Sequence, residues 1–390
     1  MAGFFWSLGL MAYFLVYNLY LLDLDWREDR IGQIAAAMTL GSLAFALPSG
    51  LVLNRFGLVQ PLRLAVLATV ATLLLRAWLE TPFPLMVLAF LSGAGISAWM
   101  VTAPPLIAAL TDNEFRPRAF SLTYGISIGT GALAGVLVSL GSRALQSTLS
   151  PLATKRLVLT IACTLVLGSF ALLGKLRAAL QEGAISFPVA LSLPSFLPQK
   201  LNWSFLARLF PPLALWSLFV GSFPPFFNVF FQRQFSQTLE SIGILFSMSQ
   251  IVQASAVLLM PWVVKSAGKV LGIALMQICS ALCLGLLSGA SGVWSAASVY
   301  LLYLSFQVMC EPALENFIMD SCRTEERNMF SSVRYALLFF VQAVAVWLAG
   351  TTIAWFGYGF LFSLLVGVGV LAPLALWLSF GRRKNDRPRA

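Results

Sequence analysis

Histidine is absent from this chain, and charged residues are scarce. Of 390 residues, only 10% are Asp, Glu, Lys or Arg, whereas 59% are hydrophobic and the mean hydropathy is +0.86. Soluble domains carry about 25% charged residues, so a soluble globular protein, a disordered chain and a secreted disulfide scaffold are all excluded. Without histidine, any proton transfer must use carboxylates, Tyr, Lys or Cys.

Cysteine is also rare, and its spacing gives no sign of a metal or redox site. The five cysteines fall in apolar segments or at a predicted inner edge: Cys163, Cys279, Cys283, Cys310 and Cys322. We expect neither structural disulfides nor a metal site, because there is no Cys-x-x-Cys pair and no histidine. The sequence has no Gly-Lys-[Ser/Thr] phosphate loop and no loop cluster with nucleophile spacing, so an enzyme and a bound cofactor are not expected.

Charge-free stretches mark the candidate membrane spans, since a bilayer core of ~30 Å needs about 20 apolar residues per helix. Two long intervals, 270–310 and 335–381, contain turn signals near residues 288–292 and 355–359, and each predicts two helices. Eight further intervals predict one helix each: 1–22, 31–53, 64–75, 81–111, 119–142, 157–174, 209–232 and 241–264. The sequence therefore predicts an all-α integral membrane protein with twelve transmembrane helices.

Lys and Arg are distributed unevenly between the two predicted faces. With a cytoplasmic N-terminus, 18 of the 25 Lys and Arg residues fall on the inner side. This excess predicts that both termini are cytoplasmic, in a multi-pass protein of the cell (inner or plasma) membrane. The net charge of +10 is attributed mainly to topology, so no nucleic-acid partner is expected. No cleavable signal peptide is expected either.

Weak internal similarity links the two halves. The aromatic-Asn-aliphatic-aromatic pattern at 17–20 recurs at 227–230, and Ile31-Gly32 recurs as Ile242-Gly243, at a steady offset of 210–211 residues. Duplicated halves around a midplane site are typical of transporters. The predicted organisation is a six-helix bundle at 1–176, a cytoplasmic central loop at 177–207, a second bundle at 208–381 and a basic tail at 382–390.

A glycine and arginine motif follows the second predicted helix. It comprises Gly50, Asn54, Arg55, Gly57 and, six residues beyond, Arg63. The motif resembles the Gly-x-x-x-Asp-Arg-x-Gly loop of the major facilitator superfamily, with Asn54 in place of Asp. With the topology, the resemblance implies two pseudo-symmetric six-helix bundles and alternating access. Asp112 resembles the acidic partner of that arginine, so an Arg55–Asp112 ion pair is expected when the inner side is closed; two solvated charges are the alternative.

The fifth predicted helix is rich in glycine, at positions Gly125, Gly129, Gly131 and Gly135. The pattern resembles the fifth-helix motif of drug/proton antiporters in the same family, although the expected proline is absent. Glycines four residues apart form a groove for close helix approach, and we expect the partner helix to come from the other half. Ordinary helix packing is the alternative interpretation.

Glu311, Glu315 and Arg334 are the charged residues expected within the membrane, where ionisable groups are costly and mark function. Pro312 introduces a kink beside Glu311. We expect Arg334 to pair with Glu315 and leave Glu311 free to carry a proton, because burial without a partner favours the neutral carboxyl. A static structural cluster of the three residues is the alternative.

Other charges are expected near the outer surface. Arg76 and Glu80 are spaced for an i,i+4 surface pair. Asp23 and Asp25 are alternative proton acceptors, with loop solvation as the simpler interpretation.

The resemblance also implies a central cavity lined mainly by helices 1, 4, 7 and 10. The candidate cavity residues are Tyr13, Tyr17, Asn18, Trp99, Thr102, Tyr124, Trp216, Asn228, Gln250, Gln253 and Gln307. Packing is the alternative for each of them. The set is aromatic and amide-rich, which suits a small amphipathic substrate.

These features predict a secondary transporter, with proton-coupled export of a small amphipathic molecule as the leading hypothesis. A proton or ion gradient would supply the energy, and a monomer is expected by resemblance. Nutrient or sugar uptake, lipid flipping and a transport-dead receptor on the same fold are the alternatives.

Overall fold

The computed structural model describes residues 1–56, 58–112, 114–179, 203–321 and 327–380. Only the backbone is described at 47, 50, 51, 53–56, 117, 179, 203, 204 and 327–333. All regular structure in these ranges is helical: α1 (Ala2–Asp23), α2 (Glu28–Phe56), α3 (Val59–Trp78), α4 (Pro82–Ala109), α5 (Arg116–Leu145), α6 (Pro151–Ala179), α7 (Trp203–Ser222), α8 (Phe227–Phe235), α9 (Leu239–Val257), α10 (Met260–Ala267), α11 (Lys269–Ser288), α12 (Val293–Ser321) and α13 (Arg327–Phe380).

Ten helical stretches within the described ranges are long and apolar enough to cross a membrane. This confirms the all-α, membrane-type class that the apolar intervals indicated. The count of twelve spans, the cytoplasmic termini and the predicted domain boundaries stay predictions.

Both predicted turns within the long apolar intervals are present. α11 ends at Ser288 and α12 begins at Val293. Within α13, Gly357 has φ 80° and ψ 174°, which interrupts the helix. Glycine adopts this positive φ without the steric cost that a Cβ atom would bring.

The predicted span over 209–232 lies within one apolar stretch of membrane length, Phe205–Phe235, but that stretch is not a single α-helix. α7 ends at Ser222, and a 3₁₀ turn at Pro224–Phe226 separates it from α8. Two consecutive prolines, Pro224 and Pro225, remove two backbone donors, so the α-helix cannot continue through them.

The described helices group into two compact units. Unit 1 consists of the described residues of Met1–Ser192 and Pro225–Ile251, and unit 2 of those of Leu193–Pro224 and Val252–Ala390. In unit 1, α1 packs on α5, α6 and α8, α2 packs on α4, and α3 packs on α4 and α6. In unit 2, α7 packs on α13, and α11 packs on α12 and α13.

Candidate functional site

Two carboxylates lie one turn apart on α12 in unit 2, beside the helix-internal Pro312. These are Glu311 and Glu315. Arg334 of α13 donates to both oxygens of Glu315, from Nη1 to Oε2 at 2.6 Å and from Nη2 to Oε1 at 2.7 Å. The Arg334 side chain is 2% exposed and that of Glu315 is 37% exposed. This bidentate pair confirms the predicted Glu315–Arg334 contact; its functional role stays a prediction.

Glu311 is held by an indole instead of a cation. Trp216 Nε1 on α7 donates to Glu311 Oε1 at 3.0 Å. Among the described residues, no Lys or Arg nitrogen lies within ion-pair distance of this carboxylate. A carboxylate without a counterion is costly to bury. Glu315 therefore has a charged partner, whereas Glu311 is supported by one neutral hydrogen-bond donor.

A small cavity of about 50 Å³ joins these groups within unit 2. Trp216, Glu311 and Arg334 line it, together with Ser217 and Gln342. Gln342 was missed from the sequence, although it lies two turns beyond Arg334 on α13, the spacing that would have placed it on the same helix face. The cavity provides space for a water-sized group next to the Glu311 carboxyl.

Two other predicted cavity residues of this unit lie on α12 and α9. Gln307 precedes Glu311 by one turn on α12 and is buried. Its Oε1 atom has no hydrogen-bond partner among the described residues. Gln253 on α9 is half-buried.

The predicted aromatic residues of α1 are buried within unit 1. The Tyr13 hydroxyl donates to the Leu73 carbonyl oxygen at 2.9 Å, and the Tyr13 and Tyr17 rings stack with centroids 5.2 Å apart. The guanidinium carbon of Arg76 lies 4.3 Å from the Tyr17 ring centroid. These contacts join α1 to α3, and a substrate-binding role for either tyrosine stays a prediction.

The predicted Arg76–Glu80 surface pair is wrong. Arg76 is 2% exposed and donates from Nη1 to Ser92 Oγ at 2.9 Å. Glu80 instead accepts from Arg156 Nη2 at 2.8 Å. The i,i+4 spacing required a helix through residue 80, but α3 ends at Trp78, so Glu80 leaves the helical face that carries Arg76.

Two repeat-related asparagines bond reciprocally within unit 1. Asn18 Nδ2 donates to the Pro225 carbonyl oxygen at 2.6 Å, and Asn228 Nδ2 donates to the Leu15 carbonyl oxygen at 2.8 Å. Each amide therefore bonds the backbone of the segment that carries the other. The sequence repeat at 17–20 and 227–230 corresponds to a pair of matching contacts between α1 and the start of α8.

The remaining predicted cavity residues of unit 1 make separate contacts. Trp99 stacks on Trp6 with ring centroids 4.3 Å apart. Thr102 Oγ1 donates to the Ala98 carbonyl oxygen of its own helix at 2.6 Å. Tyr124 is 63% exposed.

The glycine motif of α5 makes the predicted groove, but only two of its four glycines take part. A Cβ on Gly135 would lie 2.4 Å from the Gly243 carbonyl oxygen of α9, and one on Gly131 would lie 2.9 Å from the Gln250 side chain. A Cβ on Gly125 or Gly129 would meet nothing within 4 Å. The partner helix α9 follows the central loop, as expected.

Most of the inner-gate motif falls outside the described residues. This applies to Gly57 and to the side chains of Asn54 and Arg55, while only the backbone of Gly50 is described, so the proposed Arg55–Asp112 pair stays a prediction. The carbonyl oxygen of the exposed Asp112 accepts from the Arg116 amide at 2.9 Å.

Arg63, the last residue of that motif, lies on α3. Its guanidinium carbon is 4.3 Å from the centroid of the Phe170 ring.

Asp23 does not lie in a solvated loop. Lys155 Nζ donates to Asp23 Oδ1 at 2.6 Å, and the Lys155 side chain is only 7% exposed. Asp25 lies in the turn after α1 with φ 59°. No group of three or more metal-ligating side chains occurs in the described part of the chain.

The sequence and the helical arrangement are similar to those of known proteins. The family model described as Major Facilitator Superfamily matches residues 1–337. No curated protein sequence matches the chain. Among solved structures, the inward-open xylose transporter XylE from E. coli is 16% identical, with 99% of this chain and 96% of that chain covered at a TM-score of 0.72.

Two further solved structures are similar over nearly the full length. The nucleoside transporter NupG is 14% identical to this chain. The structural match covers 97% of each chain at a TM-score of 0.74. A bacterial homologue of the iron transporter ferroportin, in an inward-facing state, is 16% identical, with 98% of this chain and 97% of that chain covered at a TM-score of 0.75. At these identities the likeness establishes the fold.

Proposed function

Because this chain belongs to the Major Facilitator Superfamily, we propose that it is a secondary active transporter of a small molecule, working by alternating access in the cell membrane. It acts as a monomer on this proposal, and a proton gradient supplies the energy. Membership of this family favours transport over catalysis, and the two duplicated halves that the sequence repeat predicts suit a mechanism in which an aqueous path opens to one side at a time.

The observation that carries proton coupling is the difference between Glu311 and Glu315. Glu315 is paired with a bidentate arginine, which fixes the position of its carboxylate. Glu311 has one indole donor, no cation within ion-pair distance among the described residues, and a small cavity beside it. A carboxyl in that position gains or loses a proton with little reorganisation of its neighbours, so Glu311 is the proton carrier in this proposal.

The direction of transport proposed here is export of an amphipathic compound, because α5 resembles the glycine-rich helix of drug/proton antiporters. Uptake is the second candidate. The fold neighbours include a xylose transporter and a nucleoside transporter, which favours testing a pentose and a nucleoside beside an amphipathic dye.

The test uses the full chain in proteoliposomes loaded with a pH-sensitive dye, with D-xylose, uridine or ethidium added under an imposed pH gradient. We expect one probe to drive a proton flux in the wild type. Glu311→Gln should abolish the probe-driven proton flux while retaining gradient-free exchange of the probe, since the amide keeps the Trp216 contact but holds no titratable proton.

Glu80→Gln is the matched control, because it makes the same chemical change at an exposed carboxylate. Proton flux that persists in Glu311→Gln at the wild-type level would contradict the assignment of the proton carrier. A probe that drives flux only when it leaves the side with the predicted cytoplasmic termini supports export, and the reverse dependence supports uptake.

A further inference from the structure

Two arginines lie at the seam between α3 and α6 in unit 1, where α3 begins and α6 ends. Arg63 is in the second turn of α3, and Arg177 is in the last turn of α6. At a rise of 1.5 Å per residue, Arg63 is about 6 Å from the start of its helix. Both helices are long and apolar enough to cross a membrane. The two guanidinium groups therefore lie close to one membrane surface, which the predicted topology assigns to the cytoplasmic side.

Neutral groups hold both arginines in place. The guanidinium carbon of Arg63 lies 4.3 Å from the centroid of the Phe170 ring, and Arg177 Nη1 donates to Gln60 Oε1 at 2.6 Å. Gly174 lies between Phe170 and Arg177 on one face of α6, because the three residues follow one another at spacings of four and three. A Cβ on Gly174 would lie 3.4 Å from Arg63 Nη2, so a longer side chain at this position would cover that guanidinium group.

No carboxylate among the described residues neutralises this pair. Neither Arg63 nor Arg177 has a described Asp or Glu oxygen within ion-pair distance, and the exposed Lys175 adds a third cation to the same turn of α6. Of the Arg63 guanidinium nitrogens, Nε alone is enclosed, so both Nη groups reach the surface. Gln60 and Arg63 are one turn apart on α3, which places the two guanidinium groups on neighbouring turns. Like charges held this way repel each other, and an anion between them removes that cost.

An exposed apolar surface continues from the two arginines toward the middle of the membrane. Leu67 follows Arg63 by one turn on α3, and Leu167 precedes Phe170 by one turn on α6. Both leucines are 38% exposed. Because α3 begins and α6 ends at this membrane surface, each leucine lies deeper in the membrane than the residue it accompanies. A cationic end joined to an apolar stretch matches the headgroup and acyl chain of a lipid.

We propose that the seam of α3 and α6 binds an anionic phospholipid. Its phosphate accepts hydrogen bonds from Arg63 and Arg177, and an acyl chain lies along the two leucines. Arginine suits a phosphate because its planar group donates two parallel hydrogen bonds. A zwitterionic headgroup would bring an ammonium group for which the seam offers no described carboxylate. Basic sites between membrane helices on the cytoplasmic side bind anionic headgroups in this way.

The test titrates the full chain in detergent with dioleoylphosphatidylglycerol and follows thermal unfolding. Dioleoylphosphatidylcholine is the zwitterionic comparison with the same acyl chains, and glycerol 3-phosphate supplies a phosphate without them. We expect saturable stabilisation by phosphatidylglycerol alone, from which an apparent affinity is obtained. The effect should weaken as the sodium chloride concentration is raised, because salt screens exposed charges.

Arg63→Gln and Arg177→Gln should each weaken that affinity about fivefold, the share of one cation at an anionic membrane surface. Arg208→Gln is the matched control, because it removes one exposed arginine in the second turn of α7, outside the seam. Gly174→Met keeps every charge but covers the Arg63 guanidinium group, so it should weaken binding as well. This variant decides the outcome if the loss of an arginine disturbs folding.

Equal stabilisation by phosphatidylcholine, or no saturable effect of phosphatidylglycerol, would overturn the proposal. An equal loss of affinity in Arg208→Gln would also overturn it, because the lipid would then respond to the overall positive charge and not to a site. Stabilisation by glycerol 3-phosphate as strong as that by the lipid would overturn it in favour of a soluble phosphate ligand. None of these measurements needs a gradient or a transported substrate, so they are independent of the test of proton coupling.

Discussion

Arg334 and Arg76 are equally buried, but their charges are compensated in different ways. Arg334 places two nitrogens on the two oxygens of Glu315. Arg76 lies over the Tyr17 ring and donates to Ser92, and no carboxylate is within ion-pair distance of it among the described residues. The charge of Arg334 is therefore compensated by one residue. Arg76 is stabilised by contacts with several residues, which include an aromatic ring and a hydroxyl group.

The Glu315–Arg334 pair predicts an asymmetric double-mutant cycle. Glu315→Gln should lower stability by about 3 kcal/mol, because it leaves the 2%-exposed Arg334 without its counterion. Arg334→Met should cost less, since Glu315 is 37% exposed and can be solvated. The double variant should be more stable than Glu315→Gln alone. Denaturation in detergent measures all three; strictly additive effects would show that the two groups are not coupled.

For Arg76, we expect loss of the charge to be tolerated better than replacement by another cation. Arg76→Met should leave stability unchanged or raise it, because replacing a buried charge by a well-packed apolar chain of similar length is often neutral or favourable. Arg76→Lys should lower stability by about 1–2 kcal/mol, since it retains the charge but loses the planar stack on Tyr17. The melting temperatures of both variants check this, and a larger loss for methionine than for lysine would contradict it.

At the scale of helices, close packing depends on which glycines meet a neighbour. Gly135 of α5 approaches Gly243 of α9, and Ser247 Oγ donates to the Ala132 carbonyl oxygen at 2.7 Å across the same contact. Gly129, six residues earlier, has no neighbour that a Cβ would touch. The sequence motif identified the right helix and the right kind of contact, but not which of its glycines forms it.

Alanine substitutions at these two glycines should have effects of opposite sign. Gly135→Ala places a Cβ 2.4 Å from a backbone oxygen that cannot move away alone, so it should lower stability by roughly 1–3 kcal/mol. Gly129→Ala makes the same change in open space and should raise stability by up to about 1 kcal/mol through helix propensity. Thermal unfolding in detergent compares them. Equal effects would mean that the α5–α9 approach is not tight.

At the scale of the whole molecule, the segment Pro225–Ile251 groups with the first half of the chain. The reciprocal bonds of Asn18 and Asn228 join it to α1, and Arg233 Nε lies 3.5 Å from Glu28 Oε1. On the proposed mechanism these contacts close one side of the transporter and must break when that side opens. The two asparagines occupy equivalent positions of the sequence repeat. Each should therefore contribute a similar share of the free energy that holds this side closed.

Leucine at both asparagines should favour the state in which this side is open. A cysteine introduced at Gln232, which lies beside these contacts on α8, reports accessibility to a membrane-impermeant maleimide. We expect labelling to rise roughly fivefold for each lost hydrogen bond of about 1 kcal/mol. Asn316→Leu, an exposed amide on α12, is the control. Unchanged labelling in the double variant would show that these bonds do not hold this side closed.

The helical membrane class, the turns at Ser288 and Gly357, and the pairing of Glu315 with Arg334 could all be predicted from the amino-acid sequence. These follow from local rules: apolar run length, the conformational freedom of glycine, and the cost of an unpaired charge in an apolar segment. Three outcomes required the packed structure: Arg76 is buried and not on the surface, Lys155 pairs with Asp23, and Gly131 and Gly135 form the groove. Those outcomes depend on where one helix ends and on which face its neighbour covers, and the local sequence around Arg76 or Lys155 indicates neither.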